Sequence, residues 1–106
     1  MTRPDKIAHL LASDEEVEIV ASARTATVYV TNRHLAVAQD DRVSLHVSFP
    51  ALRRIQFDIE RDRPATLVIV PESPHDEPQV LAVQPADYDQ VAKAIATIGR
   101  RLAESA

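Results

Sequence analysis

The chain of 106 residues contains no cysteine and no tryptophan, only one glycine, and few aromatic residues. The absence of cysteine excludes disulfides, thiolate nucleophiles and cysteine-based zinc sites. The single glycine, Gly99, excludes the G-x-S-x-G nucleophile elbow, phosphate-binding loops and dinucleotide fingerprints, all of which depend on several glycines. The scarcity of aromatic side chains disfavours a deep aromatic-lined pocket. Several widespread classes of enzyme site are therefore excluded.

Excess positive charge is also lacking, since 16 acidic and 12 basic residues give a formal net charge of −4. Nucleic-acid-binding proteins usually carry a clustered basic face, and anionic membrane surfaces attract basic segments. The charge therefore argues against nucleic acid and against a membrane as partners. No apolar run approaches the roughly 18 residues of a membrane span, and no signal peptide is visible. By elimination we expect a cytoplasmic protein.

The residues that are present predict one domain over residues 1–106. This length fits a single core, and 45% of the residues are apolar. Valine and alanine dominate that fraction, and small or β-branched side chains suit closely packed sheets. No internal repeat or linker divides the chain.

Seven segments with a period of two predict short β-strands joined by tight connections. The clearest alternation lies between residues 43 and 49. Pro50 removes a backbone donor and predicts a bend or helical turn before the next strand. The alternation predicts these inward-facing residues: Val17, Ile19, Ala21, Ala23, Ala26, Val28, Val30, Val43, Leu45, Val47, Phe49, Ile55, Phe57 and Ile59.

The segment 65–70 is apolar on both predicted faces, with Leu67 and Ile69 opposite Val68 and Val70. A strand with one wet face normally alternates apolar and polar residues. Either the terminal helix and the sheet cover both faces, or a second subunit covers one. The second alternative motivates a hypothesis of self-association as a homo-oligomer.

Two helices are predicted to flank the strands. Apolar residues three and four apart predict a short helix over residues 4–12. After Pro85 a longer helix carries one apolar stripe formed by Tyr88, Val91, Ile95, Ile98 and Leu102. Gly99 lies on this stripe and costs about 1 kcal/mol relative to alanine, so we expect it to mark the closest approach of helix to sheet. Arg100 and Arg101 are predicted in the last turn, where cations are favoured.

Three stretches, DEEV at 14–17, TNRHL at 31–35 and FPALRRI at 49–55, together with the order of elements, resemble the pleckstrin-homology (PH) superfold. The same stretches also resemble those of bacterial PH-like and GRAM-like domains. The resemblance covers nearly the whole chain. It implies a mainly β fold of about seven antiparallel strands in a bent sheet or barrel, capped by one C-terminal helix. It also implies a scaffold for interaction or ligand binding. The same strands could instead form an open sheet with the helix across one face.

The candidate polar residues predict no catalytic, cofactor-binding or metal-ligating set. His9, His34, His46 and His75 lack metal-ligand spacings and are predicted to be exposed polar side chains. PH domains that bind phosphoinositides place several basic residues around the first hairpin loop, where this chain has only Arg24. Lipid headgroup binding is therefore disfavoured.

The leading hypothesis is a non-catalytic module acting through protein–protein contacts, with an unidentified protein partner or a second copy. One alternative is a lipid or membrane-surface module. Another is a small enzyme or ligand carrier whose site would gather His34, Tyr29 or an arginine–carboxylate pair.

Overall fold

The computed structural model describes residues 10–40 and 42–105. The elements are β1 (Val17–Ser22), β2 (Thr27–Thr31), β3 (His34–Gln39), β4 (Arg42–Ser48), β5 (Leu52–Asp58), β6 (Ala65–Pro71), β7 (Gln79–Val83) and α1 (Tyr88–Ser105). Short 3-10 turns at Phe49–Ala51 and Pro85–Asp87 precede β5 and α1. The predicted seven strands, the turn at Pro50 and the terminal helix are confirmed. Of the helix predicted over residues 4–12, residues 4–9 lie outside the described residues.

The strands form two antiparallel sheets, one in the order β1-β2-β3-β4 and one in the order β5-β6-β7. The alternative of a single open sheet is therefore wrong. No strand ladder joins the two sheets within residues 10–40 and 42–105, so the barrel is not closed. Individual hydrogen bonds do link them: Arg24 N donates to Ala82 O at 2.8 Å, and Ser44 Oγ donates to Gln79 Oε1 at 3.1 Å.

The main core lies between the sheets and the helix, and it follows the alternation of the strands. Val28, Val30, Leu35 and Val37 of the first sheet are fully buried, as are Leu67, Ile69, Leu81 and Val83 of the second. The side chains at alternate positions point away from this core because successive residues of a strand face opposite sides. The predicted inward positions of Ala26, Val28 and Val30 are thereby confirmed.

Two predicted core residues face the other side of the first sheet because the strands contain irregularities. In the β1–β2 pair the register shifts between Val17 and Ile19. In the β3–β4 pair it shifts between Val37, which pairs with Leu45, and Ala38, which pairs with Val43. An extra residue in one strand reverses the facing of the residues beyond it. Val17 and Val43 therefore leave the main core, and the prediction that both face inward is wrong.

These two valines pack instead in a second, smaller cluster on the outer side of the first sheet. Its buried members are Tyr29, Ala36 and Ala38, and Leu10 and Leu11 also pack against it. The four-stranded sheet is thus apolar on parts of both faces. The residues before β1 supply part of the cover on its outer side.

Ile59 was also predicted to face inward, and this prediction is wrong. The strand β5 ends at Asp58, so the alternation of inward-facing and outward-facing side chains does not extend to the next residue. Ile59 lies in the loop before β6 with 59% of its surface exposed. Ile55 and Phe57 do pack against the core as predicted.

Helix α1 packs its apolar stripe against β1, the 49–51 turn and β5, so it contacts both sheets. Val91, Ala94 and Ile98 are buried, and Ile95 and Leu102 pack at their margins. Arg100 and Arg101 lie before the last turn, contrary to the prediction. The Arg101 guanidinium pairs with Glu18 of β1 and with Glu104, so it fixes the helix to the first strand rather than capping it.

Gly99 is exposed, and a Cβ built on it would have no neighbouring atom within 4 Å. The expectation that Gly99 marks the closest approach of helix to sheet is therefore wrong. The fully buried Val91 and Ile98 occupy the helix face that packs on the sheets.

Replacing Gly99 with alanine should raise the free energy of unfolding by about 0.5 to 1 kcal/mol, because alanine loses less backbone entropy in a helix interior. Urea denaturation at equilibrium measures this change. A loss of stability would mean that the helix is tightly packed at Gly99 after all.

Candidate functional site

A buried carboxylate, Glu15, lies just before β1 and has only 1% of its surface exposed. The Thr31 hydroxyl donates a hydrogen bond to Glu15 Oε2, and His34 Nδ1 lies 2.9 Å from the same oxygen. Ala12 N donates to Oε1 at 3.3 Å. Burial raises the pKa of Glu15, but these hydrogen bonds lower it by more, so the pKa lies below its ordinary value. We call Glu15, Thr31 and His34 the carboxylate cluster.

The turn between β2 and β3 holds this cluster together. The Thr31 Oγ1 atom accepts hydrogen bonds from Arg33 N at 3.0 Å and from His34 N at 2.8 Å. Asn32 Oδ1 accepts a bond from Glu16 N at 3.0 Å, and Asn32 N donates to Glu16 O. Threonine and asparagine favour turns because their side chains bond to nearby backbone groups. The acidic stretch before β1 is therefore fastened to the TNRH turn.

Two of the four histidines come together, which their sequence spacing did not indicate. The rings of His34 and His46 lie on adjacent strands with centroids 4.6 Å apart and a tilt of 33°. His75 is exposed in the loop after β6, and His9 lies outside the described residues. No group of three His, Asp or Glu side chains suited to a metal ion occurs in the described part of the chain.

A shallow groove of about 520 Å³ lies where the loop after β1, the loop before β6 and the start of α1 meet. Arg24, Arg61 and Arg63 line it together with Tyr88, whose ring packs edge-on against Phe57 at 5.6 Å. The groove contains an arginine–carboxylate pair, Arg63 with Glu60 at 3.7 Å. Neither His34 nor Tyr29 lines it.

The second sheet has an exposed outer face that α1 does not cover. Val80 is 67% exposed, which makes it the most exposed large apolar residue of the described chain. Val68, its partner in the β6–β7 register, is half-buried. The outer face of the second sheet, as we use the term, consists of Arg54, Gln56, Asp58, Thr66, Val68, Val70, Val80 and Ala82.

Comparison with solved structures identifies the architecture. One similar structure is a pleckstrin homology domain from Shewanella amazonensis SB2B, which is 18% identical with a TM-score of 0.67 over 91% of both chains. Another is a protein with a pleckstrin-homology domain from Shewanella loihica PV-4. It is 16% identical with a TM-score of 0.66, over 90% of this chain and 88% of that one. This chain has the PH fold. The resemblance predicted from the sequence is confirmed.

At this low identity the likeness establishes the PH fold alone. No protein-family model matches the chain. No curated protein matches it either. Within residues 10–40 and 42–105, no helix is long and apolar enough to cross a membrane.

On this PH fold the first hairpin loop contributes its single arginine, Arg24, to the groove, and Arg61 and Arg63 join it from the loop before β6. The sequence showed both loops but not that they meet. The carboxylate cluster was also missed, although DEEV and TNRHL were both singled out. Their contact depends on the β1–β2 pairing of Val17 with Thr31, which brings the residues preceding β1 to the β2–β3 turn.

Proposed function

We propose that this chain is a non-catalytic PH-like interaction module that binds a protein partner through the outer face of the second sheet. The observation that carries the proposal is Val80, an exposed valine on the edge strand β7 beside Val68 of the central strand β6. Contiguous exposed apolar surface rimmed by polar residues marks interaction sites. A protein is preferred to a nucleic acid because the chain carries a net charge of −4.

The polar clusters support the non-catalytic part of the proposal. A perturbed carboxylate in a cleft would suggest a catalytic residue, but Glu15 is buried and bonded to Thr31, His34 and Ala12. It does not line the groove. Its hydrogen bonds join two segments of backbone, which is a structural role.

Replacing Val80 with lysine should abolish partner binding, because it places a charge beside Val68 where the face is most apolar. Lysine is common on natural edge strands, so we expect the fold to survive. Replacing Val20 with lysine is the matched control, since Val20 is 44% exposed on the edge strand β1 of the other sheet. Affinity capture with the wild type and both variants, followed by binding of the purified partner, measures the effect.

A partner retained by wild type and V20K but lost by V80K supports the proposal. A partner that V80K still binds contradicts it, and so does the absence both of any specific partner and of self-association. Far-UV circular dichroism and urea denaturation of the variants check that both are folded.

A second candidate function is binding of an anionic ligand in the groove, favoured by the convergence of Arg24, Arg61 and Arg63 there. Vesicles of phosphatidylserine and phosphatidylcholine probe this candidate. Co-sedimentation that added salt abolishes, and that Arg24→Glu weakens, would favour a membrane-surface module over a protein-binding one.

A further inference from the structure

The outer face of the second sheet carries opposite charges at its two ends. Strand pairing arranges its side chains in three rows across the strands. Gln56, Val68 and Val80 form the central row, with Arg54 and Val70 on one side and Asp58, Thr66 and Ala82 on the other. Arg54 and Asp58 are four residues apart on β5, so about 13 Å separates them. The central row thus lies between one row that carries a positive charge and one that carries a negative charge, both of them on β5.

The two charged residues differ in how they are held. Gln56 Nε2 lies 2.9 Å from both carboxylate oxygens of Asp58, so it orients this carboxylate on the face. Arg54 has no ion-pair partner in the part of the chain that the structure describes, and it is exposed. Its guanidinium is available for a carboxylate of another molecule.

We propose that this face pairs with the same face of a second copy of the chain, about a two-fold axis along the Gln56–Val68–Val80 row. The proposal rests on the function proposed above and names the occupant of that face. A rotation about this axis reverses the strand direction, so Arg54 of each copy lies opposite Asp58 of the other. Val68 and Val80 meet their own counterparts on the axis. The surface is therefore self-complementary, as a two-fold interface requires.

The size of the face sets the expected strength of the dimer. Three strands are about 14 Å wide, and packed sheets lie about 10 Å apart. A stable interface usually buries about 800 Å² on each partner, which is more than this face alone supplies. We therefore expect a reversible dimer with a dissociation constant on the order of 100 μM.

Exchanging the charges tests the register directly. Arg54→Asp and Asp58→Arg should each weaken the dimer at least tenfold, because like charges then face one another. The double variant R54D/D58R should restore the dissociation constant to within about threefold of wild type, because each pair is re-formed with its signs reversed. Sedimentation equilibrium from low micromolar to low millimolar concentration measures all four proteins.

Arg42→Asp is the control, because it makes the same change of charge at an exposed residue of β4, which belongs to the other sheet. It should leave the dissociation constant unchanged. A monomer at low millimolar concentration overturns the proposal, and so does a double variant no tighter than the single ones. If Val80→Lys still removes a captured partner in either case, the proposed function stands and only the self-pairing falls.

Discussion

Replacing Ile98 with alanine should lower the free energy of unfolding by about 3 to 4 kcal/mol. Ile98 is completely buried in α1, and α1 packs against β1 of the first sheet and β5 of the second. The substitution removes buried apolar surface and leaves a cavity that rigid neighbours fill only in part. Because no strand ladder joins the sheets within the described residues, the helix contributes much of the packing that holds them together.

Ile59→Ala is the matched control for this experiment. It deletes the same atoms from a side chain that is 59% exposed in the loop after β5, so we expect a loss of less than about 1 kcal/mol. Urea denaturation at equilibrium, followed by circular dichroism, measures both variants. Equal losses for the two variants would contradict the assignment of Ile98 to the core between the sheets.

The comparison of Ile98 with Ile59 also shows what alternation in the sequence can and cannot predict. The apolar stripe of α1 was predicted correctly because apolar residues recur every three or four positions over about four helical turns. Ile59 continued the alternation of Ile55 and Phe57, but β5 ends one residue earlier, at Asp58. Strand ends depend on pairing with β6 and on the loop that follows, and neither is encoded in a local period.

The errors at Val17 and Val43 have a different physical cause. Both strands have the expected composition, but each register contains a shift of one residue. Such a shift moves a residue to the opposite face of the sheet but leaves its side chain apolar. The hydrophobic pattern of the sequence therefore does not reveal the shift. The same limit applies to the outer face of the second sheet. Val68 and Val70 were identified from the sequence, but their arrangement with Arg54 and Asp58 follows only from the register.

Replacing Glu15 with alanine should lower the free energy of unfolding by about 3 kcal/mol, because one buried donor and two partly buried donors lose their acceptor. The Thr31 hydroxyl, His34 Nδ1 and Ala12 N all point at this carboxylate. Glu15→Gln keeps the size and one acceptor oxygen, so we expect a smaller loss of about 1 to 2 kcal/mol. Urea denaturation near neutral pH gives both values.

Glu16→Ala is the control, since the Glu16 side chain is exposed and the residue bonds to Asn32 through its backbone. We expect its effect to stay within about 0.5 kcal/mol. A loss as large as that of Glu15→Ala would show that acidic charge near β1, rather than the buried hydrogen bonds, provides the stability.

The lowered pKa of Glu15 makes its contribution depend on pH. Because the carboxylate is a stronger acid in the fold than in the unfolded chain, its stabilisation is present above the unfolded pKa of about 4.3. It is lost as the pH falls through the lower pKa of the folded state. The difference in stability between wild type and Glu15→Gln should therefore stay constant from neutral pH to about pH 5 and shrink at more acid pH. A difference that persists unchanged in acid would mean that the pKa of Glu15 is the same in the folded and unfolded chain, and that its hydrogen bonds do not favour the ionised form.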